Sequence, residues 1–256
     1  MKKIGHLGTL DPAASGVLVL AVGAATKLVE FLIHAPKIYQ AEIEFGCTSD
    51  TLDLAGQIQI KPNVKPFTAA ALKQILPAFT GAIYQTPPKF SALKIRGQPA
   101  YKRARQGEKF QIKPRLVQIS TLTLEKFTWP HAQLKIACSS GTYIRSLARD
   151  LGQRLQTGAL LSKLVRLQVG NFTLAAAITP PQITAAKILP LTTGLTLPQI
   201  NLTPAEVQKI QLGQKIPAKN PQAPILAGVN AQHLIAILQF EPNQKLLAPK
   251  KVFPKN

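Results

Sequence analysis

The chain has 256 residues and carries 31 lysines and arginines against 11 aspartates and glutamates, which gives a formal net charge of +20. Since 46% of the residues are apolar, the chain can bury a core in one large and one small domain, and it is not a disordered basic tail. An excess of cations this large excludes an acidic binding surface. It favours a polyanionic partner, with nucleic acid ahead of an anionic membrane surface.

Cysteine, histidine and hydropathy patterns exclude several other classes of protein. Cys47 and Cys138 are far apart and form no Cys-x-x-Cys pair, so they indicate neither a disulfide framework nor a zinc site. The four histidines are too scattered to suggest a metal site. The apolar run at 17–25 is too short to cross a bilayer. We therefore expect a cytoplasmic protein that binds no membrane and no metal. We also expect it to be a monomer.

Periodic patterns predict the elements of the first half of the chain. They are a strand at 17–22, a helix at 24–35, a strand at 38–45, a helix at 68–79 and a short helix at 101–106. The run at 17–22 is apolar throughout and is closed by Gly23, which is typical of a strand buried on both faces. Apolar and polar residues alternate from 38 to 45, which predicts a strand with Tyr39 on its apolar face.

Patterns in the second half of the chain predict a pair of strands, a long helix and a small β-rich module. These elements are strands at 116–127 and 134–138, a helix at 143–155, a linker at 180–198, a helix that begins near Thr203, and strands at 224–229, 233–240 and 245–248. Thr203 and Glu206 form a capping box with Pro204 at the first helical position, and Gly213 ends that helix. Because the linker marks a boundary, we expect domains at 1–189 and 190–256.

One short loop concentrates glycines and polar residues before the apolar run. It reads Gly5-His-Leu-Gly-Thr-Leu-Asp-Pro-Ala-Ala-Ser-Gly-Val-Leu, and loops on a rigid scaffold often carry the chemistry of a protein. Asp11 within it has the side chain of a nucleophile or a base. An Asp-Pro pair is also an ordinary way to begin a turn, so the spacing alone leaves both interpretations open.

This segment closely resembles the signature of the bacterial TruB-type tRNA pseudouridine synthases. Further blocks follow in that family's order, as far as about residue 172. They read Lys37-Ile-Tyr-Gln-Ala-Glu with Phe45-Gly, Thr51-Leu-Asp-Leu-Ala-Gly, Pro87-Pro-Lys-Phe-Ser-Ala-Leu-Lys, the stretch 101–107, and Gly141-Thr-Tyr-Ile-Arg-Ser-Leu-Ala-Arg-Asp-Leu-Gly. The resemblance implies a mixed α/β (α+β) catalytic domain, with a largely antiparallel central sheet flanked by helices and loops.

The same resemblance implies an isomerase that converts the T-loop uridine of tRNA, at position 55, to pseudouridine without a cofactor. In that interpretation Asp11 is the essential carboxylate, Arg145 pairs with it, and Tyr39 stacks on the base once the base has left its stack. A cation in the first turn of a helix needs such a partner, because that end of the helix dipole repels it. Without the resemblance, Tyr39 would be interpreted as a core tyrosine.

Further residues are implied to contact the RNA. His6 and Thr9 would touch the T-loop, and Tyr143 and Leu164 would line the base pocket, although both of these also suit plain packing. The candidate phosphate contacts are Lys27, Arg96, Lys102, Arg103, Arg105 and Arg149. Such contacts position an RNA without reading its sequence.

The two ends of the chain carry two further expectations. Residues 190–256 resemble the small PUA-like RNA-binding domain that often follows this catalytic domain. Family members ordinarily begin earlier, with a strand and a Lys-Pro-x-Gly-x-x-Ser block, so we expect a chain that lacks both through a misassigned start or a truncation. This keeps open a second function, that of a non-catalytic tRNA-binding or tRNA-folding protein of the same fold.

Overall fold

The computed structural model describes residues 3–95, 97–218, 221 and 223–254. The strands, in chain order, are β1 (Ile4–His6), β2 (Ala14–Gly16), β3 (Leu20–Val22), β4 (Lys37–Phe45), β5 (Cys47–Ser49), β6 (Ile58–Ile60), β7 (Gly81–Gln85), β8 (Lys94–Ile95), β9 (Gln98–Pro99), β10 (Arg115–Thr128), β11 (His131–Cys138), β12 (Ala159–Val169), β13 (Phe172–Thr173), β14 (Gln199–Asn201), β15 (Ile216–Pro217), β16 (Ile225–Asn230), β17 (His233–Glu241) and β18 (Leu246–Val252). The α-helices are α1 (Val29–Leu32), α2 (Ala69–Ile75), α3 (Ala100–Arg105), α4 (Ile144–Arg154) and α5 (Pro204–Gln211). Short 3-10 helices lie at Gly23–Leu28, Leu76–Phe79, Leu174–Ala176, Pro180–Gln182 and Ala185–Lys187. Within these described residues, no helix combines the length and the hydropathy needed to cross a lipid bilayer.

The chain forms two compact units. The first falls within Met1–Gly8, Leu18–Ile33 and Ala176–Asn256, and the second within Thr9–Val17 and His34–Ala175. The segment Thr9–Val17, which contains Asp11, is called the Asp11 loop below. The domains predicted at 1–189 and 190–256 remain a prediction.

A seven-stranded sheet forms the centre of the second unit. Its strand order is β13-β12-β4-β11-β10-β7, with antiparallel pairs throughout, and β2 adds to β12 in parallel. Burial alternates along β4, so that Ala41 and Ile43 are fully buried on the face that also carries Tyr39. These side chains join Leu147 and Leu151 of α4 in one apolar cluster. The sheet therefore presents Tyr39 toward the helix that carries Arg145.

Most of the elements predicted for this unit are confirmed. The strand at 38–45 is β4, the strands at 116–127 and 134–138 are the antiparallel pair β10 and β11, and the helix at 143–155 is α4. The helix at 68–79 is α2 followed by a 3-10 helix, and its N-cap is Thr68, whose hydroxyl accepts a hydrogen bond from the N–H of Ala71. These segments carry their own periodicity, so local patterns suffice to find them.

The prediction of a strand buried on both faces at 17–22 is wrong. Only Leu20–Val22 is a strand, and it pairs with β1 in a two-stranded sheet that leaves Leu20 48% exposed. Val17 instead hydrogen-bonds to β12, through its N–H to the carbonyl of Arg166 at 2.9 Å. The apolar run is thus divided between the two units, and no single sheet buries it. The helix predicted at 24–35 is a 3-10 helix followed by the four-residue α1.

The first unit contains the β-rich module predicted at the carboxyl end of the chain. Its five-stranded sheet has the order β14-β16-β17-β18-β15, and Val207 and Ile210 of α5 pack in its core with Leu238. The predicted capping box is confirmed, since Thr203 N–H donates to Glu206 Oε2 at 2.8 Å and Thr203 Oγ1 accepts from Glu206 N–H at 3.3 Å. This reciprocal pairing satisfies donors at the start of α5.

Candidate active site

The carboxylate of Asp11 lies against the guanidinium of Arg145. Arg145 Nε is 2.9 Å from Asp11 Oδ2 in a close ionic contact, and Arg145 Nη2 donates to Asp11 Oδ1 at 3.1 Å. The side chain of Arg145 is 8% exposed, whereas that of Asp11 is 40% exposed. The arginine is therefore fixed inside the protein while the carboxylate it holds remains open to solvent. This is the ion pair that the resemblance implied.

Three further groups fix the guanidinium of Arg145. Its Nη1 donates to the carbonyl of Thr51 at 3.0 Å, and its Nη2 donates to the carbonyl of Phe90 at 3.1 Å. Oδ2 of Asp53 lies 3.4 Å from Nη1. Because the guanidinium is planar and its donors point in fixed directions, these contacts leave it one orientation. Arg145 is thus held in one place beside the Asp11 carboxylate.

Asp53 belongs to a tight loop and was not among the predicted site residues. Its Oδ1 accepts hydrogen bonds from the hydroxyl of Thr51 at 2.6 Å and from the N–H of Ala55 at 3.0 Å. Gly56 closes this loop, and a Cβ there would lie 2.2 Å from Asp50 Oδ1 and 2.4 Å from Thr51 Oγ1, so a larger residue would displace these two side chains. The sequence signal for Asp53 was its place in the block that begins at Thr51.

The Asp11 loop is held against β12. The carbonyl of Asp11 accepts from the N–H of Ala14 at 2.9 Å, so Asp11 begins a turn as well as pairing with Arg145. Gly16 has a φ of +103°, and a Cβ at this position would lie 2.2 Å from the carbonyl oxygen of Arg166. The close approach of β2 to β12 therefore requires glycine. The turn that the sequence allowed for Asp11 is therefore confirmed, and its role as a nucleophile or base stays a prediction.

Tyr39 lies in the same site, opposite Arg166 in the register of β4 and β12. It is 8% exposed and belongs to the apolar cluster of the second unit. Burial raises the pKa of its phenol above the ordinary value of 10.0, and a hydrogen bond from Arg166 together with the arginine's charge acts in the opposite direction. The charge of Asp11 is a smaller cause that also raises this pKa.

The other predicted pocket residues have structural contacts of their own. Tyr143 precedes α4, and its N–H donates to Gln85 Oε1 at 2.8 Å. Leu164 is buried on β12 within the apolar cluster, so it packs in the core.

The two predicted T-loop contacts are exposed. The carbonyl of Thr9 accepts from Arg166 Nη1 at 3.4 Å. His6 belongs to the first unit, where it is exposed and its Nδ1 accepts from the N–H of Gly8 at 3.3 Å. A role of these residues in RNA binding stays a prediction.

The predicted phosphate contacts fall into two groups. On α3, Lys102 and Arg105 are exposed, with Arg105 beside the ring of Tyr101, while Arg103 pairs with Glu108 at 2.6 Å. The remaining cations are engaged by the protein, since Arg149 pairs with Asp150 and donates to Thr86 O, and Lys27 donates to Val252 O at 2.7 Å. Arg96 lies outside the described residues. Among the predicted phosphate contacts of the second unit, Lys102 and Arg105 on α3 are therefore the exposed ones.

Comparison with known protein families matches residues 1–144 to the N-terminal domain of the TruB family of pseudouridylate synthases. The chain belongs to this family. The tRNA pseudouridine synthase B of Opitutus terrae is 41% identical over 191 residues, which make up 75% of this chain and 78% of that protein. The tRNA pseudouridine synthase B of Dehalococcoides mccartyi is 38% identical and covers 98% of this chain and 87% of its own length. The predicted resemblance to TruB-type enzymes is confirmed.

Two solved structures contain chains with a similar fold. A Cbf5–Nop10–Gar1 complex contains a chain that matches with a TM-score of 0.73 and 23% identity over 98% of this chain and 77% of that one. An H/ACA ribonucleoprotein bound to a substrate RNA containing 2′-deoxyuridine gives a TM-score of 0.72 and 21% identity, covering 99% and 77%. At these identities the likeness concerns the fold alone, and it confirms the predicted fold class of this TruB-family chain.

Proposed function

We propose that the chain isomerises the T-loop uridine of tRNA, at position 55, to pseudouridine, with Asp11 as the essential carboxylate. The observation that carries this proposal is the Asp11–Arg145 pair, found in a chain whose TruB relatives are tRNA pseudouridine synthases. The net charge of +20 suits a tRNA substrate, since cations near the phosphates release counterions on binding. The protein acts as a cytoplasmic monomer on the T-arm.

The reaction needs a carboxylate but no redox partner. The bond between N1 and C1′ breaks, the base turns, and a bond between C5 and C1′ forms; C5 loses a proton and N1 of the product carries one. Every atom of the uridine is thus accounted for. Asp11 acts by attack at C1′, by attack at C6 or by removal of the 2′ proton, and each route needs a carboxylate oxygen held in one place. Arg145 provides that fixed orientation.

The target base must leave the stack of the T-loop before Asp11 can reach its sugar. Tyr39 lies opposite Arg166, which holds the Asp11 loop, and it provides an aromatic surface for the extruded base. Exposed cations of α3 hold the phosphates, and selectivity comes from the shape of the T-loop. Binding therefore weakens steeply as salt is added, whereas the preference for the T-loop over other RNA does not depend on salt to the same degree.

The proposal is tested with an unmodified T-stem-loop RNA. The RNA is incubated with the chain and treated with carbodiimide, and pseudouridine is scored as a stop of reverse transcription. We expect a stop at the position-55 uridine and none in a control RNA whose loop is replaced by continuous duplex. Tight binding to the T-stem-loop without a stop would contradict the proposal and would indicate the non-catalytic tRNA-binding function.

A further inference from the structure

The side chain of Arg166 contacts both ends of the Asp11 loop. It lies on β12 with 2% of its surface exposed, and a buried guanidinium requires acceptors for its donors. Its Nε donates to the carbonyl of Val17 at 2.7 Å, and its Nη1 donates to the carbonyl of Thr9 at 3.4 Å. Thr9 and Val17 are the first and last residues of the loop. One side chain therefore ties together both ends of the segment that carries Asp11.

The same guanidinium contacts Tyr39. Arg166 and Tyr39 are cross-strand partners between β12 and β4, and the guanidinium donates a hydrogen bond to the tyrosine hydroxyl. Paired side chains on neighbouring strands lie within reach of one another. Arg166 thus connects the tyrosine on β4 to the backbone of the Asp11 loop.

The main chain of Arg166 adds a second attachment. Its carbonyl accepts from the N–H of Val17 at 2.9 Å, and Gly16 passes so close that a Cβ would lie 2.2 Å from the same oxygen. The end of the loop is therefore fixed to β12 through both the backbone and the side chain of one residue. Arg145, in contrast, contacts the carboxylate of Asp11 itself.

We infer that Arg166 is a positioning residue, which sets the separation between the Asp11 carboxylate and the Tyr39 ring and thereby the place of the target base. The inference rests on the proposed function, in which both side chains act on one uridine. Arg145 aims the carboxylate, and Arg166 fixes the loop backbone and the tyrosine hydroxyl. A misplacement of about 1 Å in such a site can slow a reaction by roughly 10²-fold.

The first test separates the rate from RNA binding. Arg166→Lys keeps the positive charge but loses the planar fork that reaches several acceptors. We expect its single-turnover rate to fall about 10²-fold, with the affinity for T-stem-loop RNA within about twofold of wild type. Lys163→Met is the matched control, because it removes an exposed cation from the same strand, and it should leave the rate unchanged. Loss of affinity with an unchanged rate would overturn the inference.

The second test asks whether Arg166 acts through Tyr39. Tyr39→Phe removes only the hydroxyl that Arg166 contacts. If the two residues act together, the double variant Arg166→Lys, Tyr39→Phe loses less activity than the product of the two single losses. Losses that multiply fully would show that the residues act independently, and would overturn the inference.

A third measurement does not depend on activity. The titration of Tyr39 is followed by NMR of ring-labelled tyrosine and assigned with Tyr39→Phe. Because Arg166 lowers the pKa of Tyr39, we expect Arg166→Met to raise that pKa further. An unchanged pKa would overturn the contact.

If Arg166→Met does not fold, the rate measurements on Arg166→Lys, Tyr39→Phe and the double variant test the inference. If the wild-type chain makes no pseudouridine, the proposed function fails, and the titration still decides the link to Tyr39.

Discussion

Asp53 lies behind Arg145, with its Oδ2 atom 3.4 Å from Nη1 of the arginine. Both side chains are largely buried, at 15% and 8% exposure, so this pair is screened little by solvent. Arg145 consequently lies between two carboxylates, Asp53 on the inside and Asp11 on the side open to solvent. Asp53 thus holds the arginine from one side while the Asp11 carboxylate remains exposed to solvent.

Asp53→Asn tests that arrangement. The amide oxygen of asparagine can still accept from Thr51 and Ala55, but the charge facing Arg145 is lost. We expect pseudouridine formation to slow about tenfold, which corresponds to roughly 1.5 kcal/mol, the size of one charge-assisted hydrogen bond. The measurement is the single-turnover rate on T-stem-loop RNA.

Asp50→Asn is the matched control for this change. Asp50 lies in the same loop, and its Oδ1 accepts from the N–H groups of Thr51 and Gln57, which an asparagine oxygen can also do. Its rate should remain at the wild-type value. Equal slowing in both variants would mean that the loop tolerates no change of charge, and Asp53 would then have no special link to Arg145.

Gly16→Ala should destabilise the fold more than its backbone angle alone requires. Gly81 has a similar φ of +92° but nothing near its missing Cβ, so Gly81→Ala measures the conformational strain, about 1–2 kcal/mol. At Gly16 the Cβ also meets the backbone of Arg166 at 2.2 Å. We expect the free energy of unfolding, from urea titration, to fall by at least about 1 kcal/mol more in Gly16→Ala. Equal losses would refute the close approach of β2 to β12.

We expect both cysteine thiols to be unreactive in the folded chain, and we expect the free energy of unfolding to fall at alkaline pH. Burial raises the pKa of both the Cys47 and Cys138 thiols from 9.0 to about 11. At pH 8 only about one thiol in a thousand is then a thiolate, so a disulfide reagent should react slowly with the folded chain and quickly with the urea-unfolded chain. The unfolded thiols ionise near pH 9 and the folded ones near 11, so their contribution to stability is complete below 9 and is lost as the pH rises through 11. Rapid labelling of the folded chain at pH 8 would contradict this burial.

Local patterns predicted the parts of the fold that carry their own periodicity. The alternation of β4, the amphipathic α4 and the capping box of α5 each depend on residues close in sequence, and the structure confirms all three. The run at 17–22 was misinterpreted because burial depends on what covers a strand. Its first residue joins β12 and its last three pair with β1, and no periodicity within six residues reveals such a division.

The site was predicted in part. The pairing of Asp11 with Arg145 followed from the resemblance, since the two residues are far apart in the chain. Asp53 and Arg166 were missed as site residues because their contacts depend on strand register. A bridge between Asp53 and Leu161 brings the loop that contains Asp53 to β12. The register of β12 on β4 places Arg166 opposite Tyr39. Registers of this kind are set by the whole sheet.

Asp11→Asn, assayed for product and for RNA binding on the same sample, tests the central claim most directly. The substitution preserves the shape of the side chain, and Asp53 still holds Arg145, so the fold and the affinity for T-stem-loop RNA should match the wild-type protein. The account predicts bound RNA with no carbodiimide-dependent stop at the T-loop uridine. Pseudouridine formed by the variant at more than about a hundredth of the wild-type rate would contradict Asp11 as the essential carboxylate.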